Sequence, residues 1–481
     1  MMYINNVSSN FKSERKKHFM YQINFDTPIH VHFIGIGGIS MSGLAEILMD
    51  AGFTVSGSDA RKSPLTQHLA AKGAKINYPQ MASNITDDID LVVYTAAIAK
   101  DNPEFARAKE KQLSMMTRAD LLGQIMKNYK TPIAISGTHG KTTTTSMVSE
   151  VLLAADADPT LSIGGILKSI GGNIRVGKSE YFVTEACEYT NSFLSFFPRI
   201  SIILNIEEDH MDFFKDINDI RNSFRKFADI LPDDGFLIVN NDIEHLAQLT
   251  EGLRCNIITF GNDNETSTAD YGYKDASYDA FGRGSYTLLK HGKDCGRVSL
   301  GVVGEHNIIN SLSVIALTDL LGIDFNVVLN ALCTFSGTDR RFEYKGEVCG
   351  VTVLDDYAHH PTEIKATLKA AANYPHKTLW CVFQPHTYTR TKAFLTDFAK
   401  ALSLADKVVL TDIYAAREKN TIGISSTDLL AELEKLGVDC YYFPSFDEIE
   451  NFLLKNCING DLLITMGAGD VVKIGENLIG N

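Results

Sequence analysis

Twice in this chain an apolar run breaks into a glycine loop and then into a helix start. That repetition restricts the fold more than any other feature. The first copy is HVHFIGIGGISMSGLAEIL, beginning at His30, and the second is TPIAISGTHGKTTTTSM, residues 131–147. Strand, glycine-rich turn and helix in that order open a parallel βαβ unit, with the loop at the carboxyl end of the strand, where open α/β sheets take their ligands. One nucleotide site needs a single loop of this kind, so a second one calls for a second ligand.

Short Val/Ile/Phe-rich runs alternate with helical patterns through the rest of the sequence, as in βαβ units throughout. A length of 481 residues fits about three domains. The first block, residues 1–128, holds the strands HVHFIGIGG, FTVSGSD and DLVVYTAAI; its first 26 residues read as a loose extension or an added strand, with no function assigned. The second block, 129–335, holds PIAISG, EYFVTEA, ISIILNIEEDH and FLIVNND and ends in the helical GEHNIINSLSVIALTDLLG. Polar alternation between 262 and 303 predicts antiparallel hairpins grafted onto it. The third block, 336–481, holds VTVLDDY, TLWCVFQPH, KVVLTDIY and LLITMGAGD.

A net charge of −14 argues against a nucleic-acid partner, because neutralising a phosphate backbone takes basic surface. Small anions remain suitable, since a few lysines, arginines and backbone dipoles dominate locally. The eight cysteines are scattered with no CxxC pair, as in reduced cytoplasmic proteins. No run of eighteen apolar residues predicts membrane insertion. No uninterrupted apolar segment follows the basic SERKKHFMYQINFD, as one would in a secretory signal. A cytoplasmic protein, monomeric or weakly dimeric, is expected.

In GIGGIS, Gly35, Gly37 and Gly38 lie between strand and helix, and Asp59 closes the next strand. Taken alone, the pattern fits a dinucleotide, with pyrophosphate on the helix N-terminus and an acid on a ribose hydroxyl. Ser40 stands where that fingerprint has its third glycine, so the loop predicts a diphosphate without establishing NAD. GTHGKT is shorter than the full P-loop pattern but keeps its chemistry: backbone N–H groups exposed by glycines, Lys141 for terminal phosphates and Thr142 for magnesium. The ATP loop is therefore assigned to Gly137, Thr138, His139, Gly140, Lys141, Thr142 and Thr143.

VTEACEYTNSFL puts Glu185 at a strand end, and LNIEEDHMD puts Glu208, Asp209, His210 and Asp212 at the next. With Thr142 these form a cage suited to magnesium, although acids in such a position also suit a helix N-terminus. Asn307 and Asn310 either cap a helix or hydrogen-bond a nucleotide base. Should a substrate carboxylate attack a γ-phosphate, two unit charges 4 Å apart repel by about 4 kcal/mol at an effective dielectric of 20. That slows a reaction by nearly 10³-fold, so positioned cations must offset it. Lys141, Mg2+ and an arginine of GTDRRFEYKG, Arg340 or Arg341, are the candidates.

Together GIGGISMSGLAEIL, GTHGKTT, NIEEDHMD, GEHNIIN, GTDRRFE, DDYAHHPTEI and QPHTYTR resemble the three-domain Mur ligases, in order from residue 30 to the C-terminus. The resemblance implies an α/β fold with a Rossmann-like N-terminal domain, a central P-loop ATPase-like domain with a mainly parallel sheet, and a C-terminal Rossmann-like domain. It implies that Gly35, Gly37, Gly38, Ser40 and Asp59 serve a UDP-sugar. ATP would phosphorylate the lactyl carboxylate of UDP-N-acetylmuramate, and the amine of L-alanine would attack the acyl phosphate. Implied roles are Lys141 on phosphates; Thr142, Glu185 and His210 around Mg2+; Asn307, with Asn310, near the adenine; Arg341 and Asp356 from the third domain, Arg341 at the transferring phosphoryl group. Tyr357, His359, His386 and Arg390 would line the amino-acid pocket. His359 and His360 are adjacent and point apart, so at most one meets substrate.

Three departures stand out. Thr387 occupies a position where some relatives carry a second arginine, which leaves carboxylate recognition more to Arg390. Cys187 and Tyr189 stand where some relatives have acids, and no lysine matches the carbamylated residue of sister ligases. A ligase recycling a whole tripeptide onto the same sugar is the alternative within the family. An NAD-dependent oxidoreductase leaves GTHGKTT unexplained, and a non-catalytic nucleotide-binding regulator leaves Lys141, Glu185, His210 and Arg341 without a purpose.

Overall fold

Parallel strand pairing dominates the computed structural model, which describes residues 21–95, 97–262 and 269–480. The chain forms two compact bodies that divide after Asn128. The first contains five parallel strands, β1 (His30–Ile34), β2 (Thr54–Ser58), β3 (Lys75–Asn77), β4 (Leu91–Tyr94) and β5 (Ser114–Thr117), in the order β3-β2-β1-β4-β5. Val31, Phe33 and Ile34 of β1 are fully buried, as the unbroken apolar run of a parallel strand covered on both faces requires. Strand order reverses at β1, so the glycine loop that follows it occupies the switch point of the sheet.

The expected loose extension or added strand over residues 1–26 differs at its described end. Residues 21–26 form no strand, yet they are docked: Ile23 is buried and the Phe25 ring meets Phe53 edge-on. Asn128 holds them from both sides, its Oδ1 accepting from Phe25 N (3.0 Å) and its Nδ2 donating to Ile23 O (3.0 Å). The rest of that expected extension, residues 1–20, lies outside the described residues.

The second body holds two sheets. Ten strands make the larger: β6 (Thr131–Ser136), β7 (Thr160–Leu167), β8 (Gly172–Arg175), β9 (Tyr181–Ala186), β10 (Ile200–Ile203), β11 (Phe236–Asn240), β12 (Asn256–Phe260), β13 (Tyr271–Tyr278), β14 (Arg283–Lys290) and β15 (Lys293–Val303). Their order is β15-β14-β13-β12-β11-β10-β6-β9-β7-β8. From β12 to β7 the pairing is parallel, whereas β13–β15 are the antiparallel hairpins expected from the polar alternation. Register positions the site. Ile135 of β6 pairs with Glu185 of β9, and Ser136 with Ile203 of β10, so the loop after β6 emerges between residues 186–188 and 204–210.

The smaller sheet is β16 (Glu343–Val348), β17 (Val351–Asp356), β18 (Leu379–Phe383), β19 (Lys407–Leu410), β20 (Asp439–Tyr442) and β21 (Leu462–Met466), ordered β16-β17-β21-β18-β19-β20. All pairs are parallel except the edge strand β16. Parallel β17, β18 and β19 therefore deliver residues 356–360, 384–390 and 411–418 to one rim. Trp380 is buried beneath it, its Nε1 donating to Asp461 (3.1 Å).

Replacing Asn128 by Ala removes both clasps on residues 23–25 and should cost about 1–2 kcal/mol. Amide exchange at Phe25 should rise ahead of global unfolding; exchange unchanged from the parent chain would contradict the docking.

Candidate active site

The loop after β6 is shaped by its own backbone. Asn205, just past β10, clasps it from both sides: His139 N donates to Asn205 Oδ1 (2.8 Å) and Asn205 Nδ2 donates to His139 O (3.1 Å). Thr138 Oγ1 accepts from Glu207 N (2.9 Å). Gly140 turns into the helix Lys141–Ala154 at φ 84°, in the left-handed region, and a Cβ there would lie 3.0 Å from Asn310 Oδ1. The result is a helix N-terminus with open N–H groups, the common seat of phosphate.

Lys141 folds back over this loop. Its Nζ donates to Thr138 O (3.0 Å) and pairs with Glu188 Oε2 (3.0 Å), a carboxylate only 2% exposed. Glu188 Oε1 also faces His210 Nε2 at 3.7 Å, and Asp209 Oδ2 stands 3.7 Å from the same nitrogen. The His210 ring stacks on Tyr189, at 4.5 Å between centroids. Burial lowers the His210 pKa, keeping the ring neutral and able to ligate.

Thr142 Oγ1 donates to Glu185 Oε2 (3.1 Å). Burial raises the Glu185 carboxyl, against the Gly164 N–H and the Lys141 charge. A hydroxyl and a half-buried carboxylate side by side are hard oxygen donors that fit Mg2+, and a divalent cation there would keep the carboxylate ionised. His210 pairs with Glu188 and Asp209 instead of with Thr142 or Glu185, so the structure separates the predicted trio into a pair and a neighbour.

The rim of the smaller sheet meets this loop. His360 caps the helix Pro361–Ala371, with proline at its first position and Glu363 in its first turn. Glu363 Oε1 lies 3.2 Å from His139 Nδ1, while Glu207 Oε2 is 3.6 Å from His139 Nε2 and accepts from Thr362 Oγ1 (2.8 Å). His360 donates from Nε2 to Glu208 O (3.0 Å), with its ring against His139, whereas His359 turns toward Tyr357 and His386. The adjacent histidines do point apart. Of the arginine pair, Arg340 is fixed by Asp355 (2.9 Å) and by the carbonyls of Gly467 and Gly469, so Arg341 is the one that faces the cavity. Burial pushes Asp356 up to about 6 in spite of Arg341, and its oxygens accept from Phe342 N and Ala358 N.

Two cavities open along this junction. One, ≈ 230 Å³, is lined by His139, Gly140, Thr143, Asn307, Asn310 and Arg341. Neither asparagine caps its helix: Gly304 holds that position, Asn307 Nδ2 donates to Val303 O, and Asn310 Nδ2 donates to Asn307 Oδ1. The other, ≈ 650 Å³, is lined by Tyr189, His210, His386 and Arg390. Arg390 donates to Asp209 Oδ1 from Nε (3.2 Å) and Nη2 (2.8 Å).

Sequence comparison matches the Mur ligase family, catalytic domain, over residues 30–130, the Mur ligase middle domain over 135–318, and the Mur ligase glutamate ligase domain over 340–469. The chain is 61% identical over 460 residues to the UDP-N-acetylmuramate–L-alanine ligase of Lachnospira eligens, covering 96% of this chain and all of that one. The chain belongs to the Mur ligase family. Its fold is similar to the crystal structure of UDP-N-acetylmuramate-alanine ligase from Thermotoga maritima (TM-score 0.77, 31% identity, 94% and 98% of the two chains covered). A murein peptide ligase from Psychrobacter arcticus shares the fold at 24% identity (TM-score 0.68, 94% and 98% covered).

In this Mur ligase the first glycine loop lies in the other body. Gly35 N donates to Ser58 O (2.9 Å), and Asp59 Oδ2 accepts from Gly37 N (2.8 Å), so part of the carboxylate predicted to meet a ligand holds the loop itself. A Cβ on Gly37 would fall 2.8 Å from that oxygen. Ser40 is exposed in the first turn of the helix Ile39–Asp50. Sequence reasoning missed Glu188, Asn205, Glu207 and Glu363, all of which hold the loop after β6 or the lysine that ends it. All four lie inside motifs quoted for other residues, and for Glu188, Asn205 and Glu207 being polar just after an apolar strand was the available signal.

Burial disfavours the His139 imidazolium, but Glu207 and Glu363 outweigh it and raise the pKa from 6.5 to about 9. A raised folded-state pKa contributes stability fully present below pH 6.5 and lost as pH climbs through about 9. The melting temperature should therefore fall between pH 6.5 and 9, and His139→Gln should flatten that fall. An equally steep fall in the variant would count against the pairing.

Proposed function

We propose that this chain joins L-alanine to the lactyl carboxylate of UDP-N-acetylmuramate, with cleavage of ATP to ADP and phosphate. The likeness to the Lachnospira ligase, 61% over nearly the whole of both chains, carries this reading. In the proposed division, residues 1–128 take the UDP-sugar through Gly35, Gly37, Gly38, Ser40 and Asp59, residues 129–335 take ATP, and residues 336–481 take the amino acid. Substrates of this kind, eight free thiols and no described helix long and apolar enough to cross a membrane suit a cytoplasmic enzyme.

Lys141 exchanges Glu188 for the terminal phosphates, which approach the N–H groups of Gly137–Thr143. Thr142 and Glu185, with His210 beside them, hold Mg2+, which when bound neutralises phosphate charge. Arg341, held near Asp356, meets the phosphoryl group in transfer, and Asn307 and Asn310 border the base. A lactyl carboxylate oxygen then forms a bond to the γ-phosphorus as the bond to ADP breaks. Tyr357, His359, His386 and Arg390 hold alanine so that its amine attacks the acyl carbon, forming the amide and expelling phosphate. Each cation reduces the repulsion between anions that would otherwise dominate the barrier.

Phosphate release by the purified chain, with UDP-N-acetylmuramate and ATP, should depend on L-alanine. Preference for the L-alanyl-γ-D-glutamyl-diaminopimelate tripeptide would replace this reading with the recycling one. Lys141→Ala should reduce turnover at least about 10²–10³-fold while leaving UDP-sugar binding within about twofold. Loss of both together would contradict the division into two bodies. Arg390→Ala should raise the alanine KM about tenfold and the ATP KM far less; equal changes would remove Arg390 from the amino-acid pocket.

A further inference from the structure

Arg390 is poorly placed to recognise a carboxylate by itself. Its side chain is 10% exposed; Nε and Nη2 already donate to Asp209 Oδ1, and Nη1 lies 3.1 Å from His386 Nδ1. An incoming carboxylate meets a pair whose charge is largely neutralised. The same cavity has a second guanidinium. Arg417 lines its wall, is exposed, and makes no hydrogen bond or ion pair among the described residues.

The segment that carries Arg417 is anchored to the cavity floor. Tyr414 N donates to Pro385 O (2.8 Å), Thr387 N to Tyr414 O (2.9 Å) and Thr389 N to Glu418 Oε2 (2.9 Å). Glu418, the acid adjacent to Arg417 in sequence, is thereby engaged by Thr389, and Ala416 takes a left-handed φ of 51°. Thr387, uncharged, lines the same cavity three residues before Arg390. Tyr189, which follows β9 of the larger sheet, lines the same cavity. A guanidinium offers parallel N–H donors that match a carboxylate two-for-two.

We infer that Arg417 is the specificity-determining cation for the α-carboxylate of the incoming amino acid, with Arg390–Asp209 as the fixed wall against which that acid is positioned. The inference rests on the amino-acid pocket of the proposed function and adds the group that distinguishes a free amino acid from one whose carboxyl is blocked.

The test compares L-alanine with L-alaninamide, in turnover and in saturation-transfer NMR binding to the intact chain. The parent should favour L-alanine at least about tenfold, the weight of a charge-assisted hydrogen bond. Arg417→Ala should raise the alanine KM about tenfold or more, leave the ATP KM within about twofold, and erase the preference over the amide; Arg417→Lys should recover part of it. Equal losses for both acceptors, or an alanine KM within about twofold of the parent, overturn the inference. Carboxylate-dependent alanine binding that vanishes in Arg417→Ala, without turnover in the parent, supports it while sinking the proposed reaction. A parent that binds neither acceptor overturns both.

Discussion

Lys141 and Glu188, 3.0 Å apart and nearly closed to solvent, form the interaction on which the second body depends. A lysine at a helix N-terminus adds its charge to a site already positive from the macrodipole and the open N–H groups. Left unpaired, a buried ammonium costs several kcal/mol and loses its proton. Glu188 prevents that, and in doing so holds Lys141 back over the loop after β6. The carboxylate supplies the counter-charge that the ammonium requires.

The same logic recurs along the junction of the two sheets. His139 sits between Glu207 and Glu363, and Arg390 rests on Asp209. His139–Glu363 and Arg390–Asp209 each join the loop after β6 or the β10 tip to the smaller sheet's rim, while Glu207 joins that loop to the β10 tip. Buried pairs of this kind add little net stability, because desolvation consumes most of the Coulomb gain. Their directional contribution is register: the pairs fix which part of the rim faces the loop after β6. That is how Arg341, far from the loop in sequence, comes to line a cavity with His139 and Asn310.

Much of this was legible beforehand, for reasons specific to each element. GTHGKT between an apolar strand and a threonine-rich helix read as the turn of a strand–loop–helix unit, which joins β6 to the helix Lys141–Ala154, and the hairpins of β13–β15 followed from period-two alternation. Asn307 and Asn310 were ambiguous because a polar residue early in a helix suits either a cap or a ligand; the choice fell to Gly304, which took the cap. Arg340 and Arg341 were indistinguishable as neighbours, until Asp355 and two carbonyls claimed the first. Glu188, after a strand, and Glu363, in the first turn of a helix, were passed over because an acid in either place looks like any other without its partner.

What the sequence alone determined was local: strand, loop and helix order, the two glycine turns, and which chemistry each could perform, because these depend on residues within about a dozen positions of one another. What the tertiary structure decided was pairing at a distance: that Lys141 rests on Glu188, that Glu363 reaches back across 224 residues to His139, and that Arg390 is held by Asp209. Charges interact through space and not along the chain. Their partners are fixed only when the parallel register of β6, β9 and β10 and the shared rim of β17, β18 and β19 bring distant loops within a few ångströms.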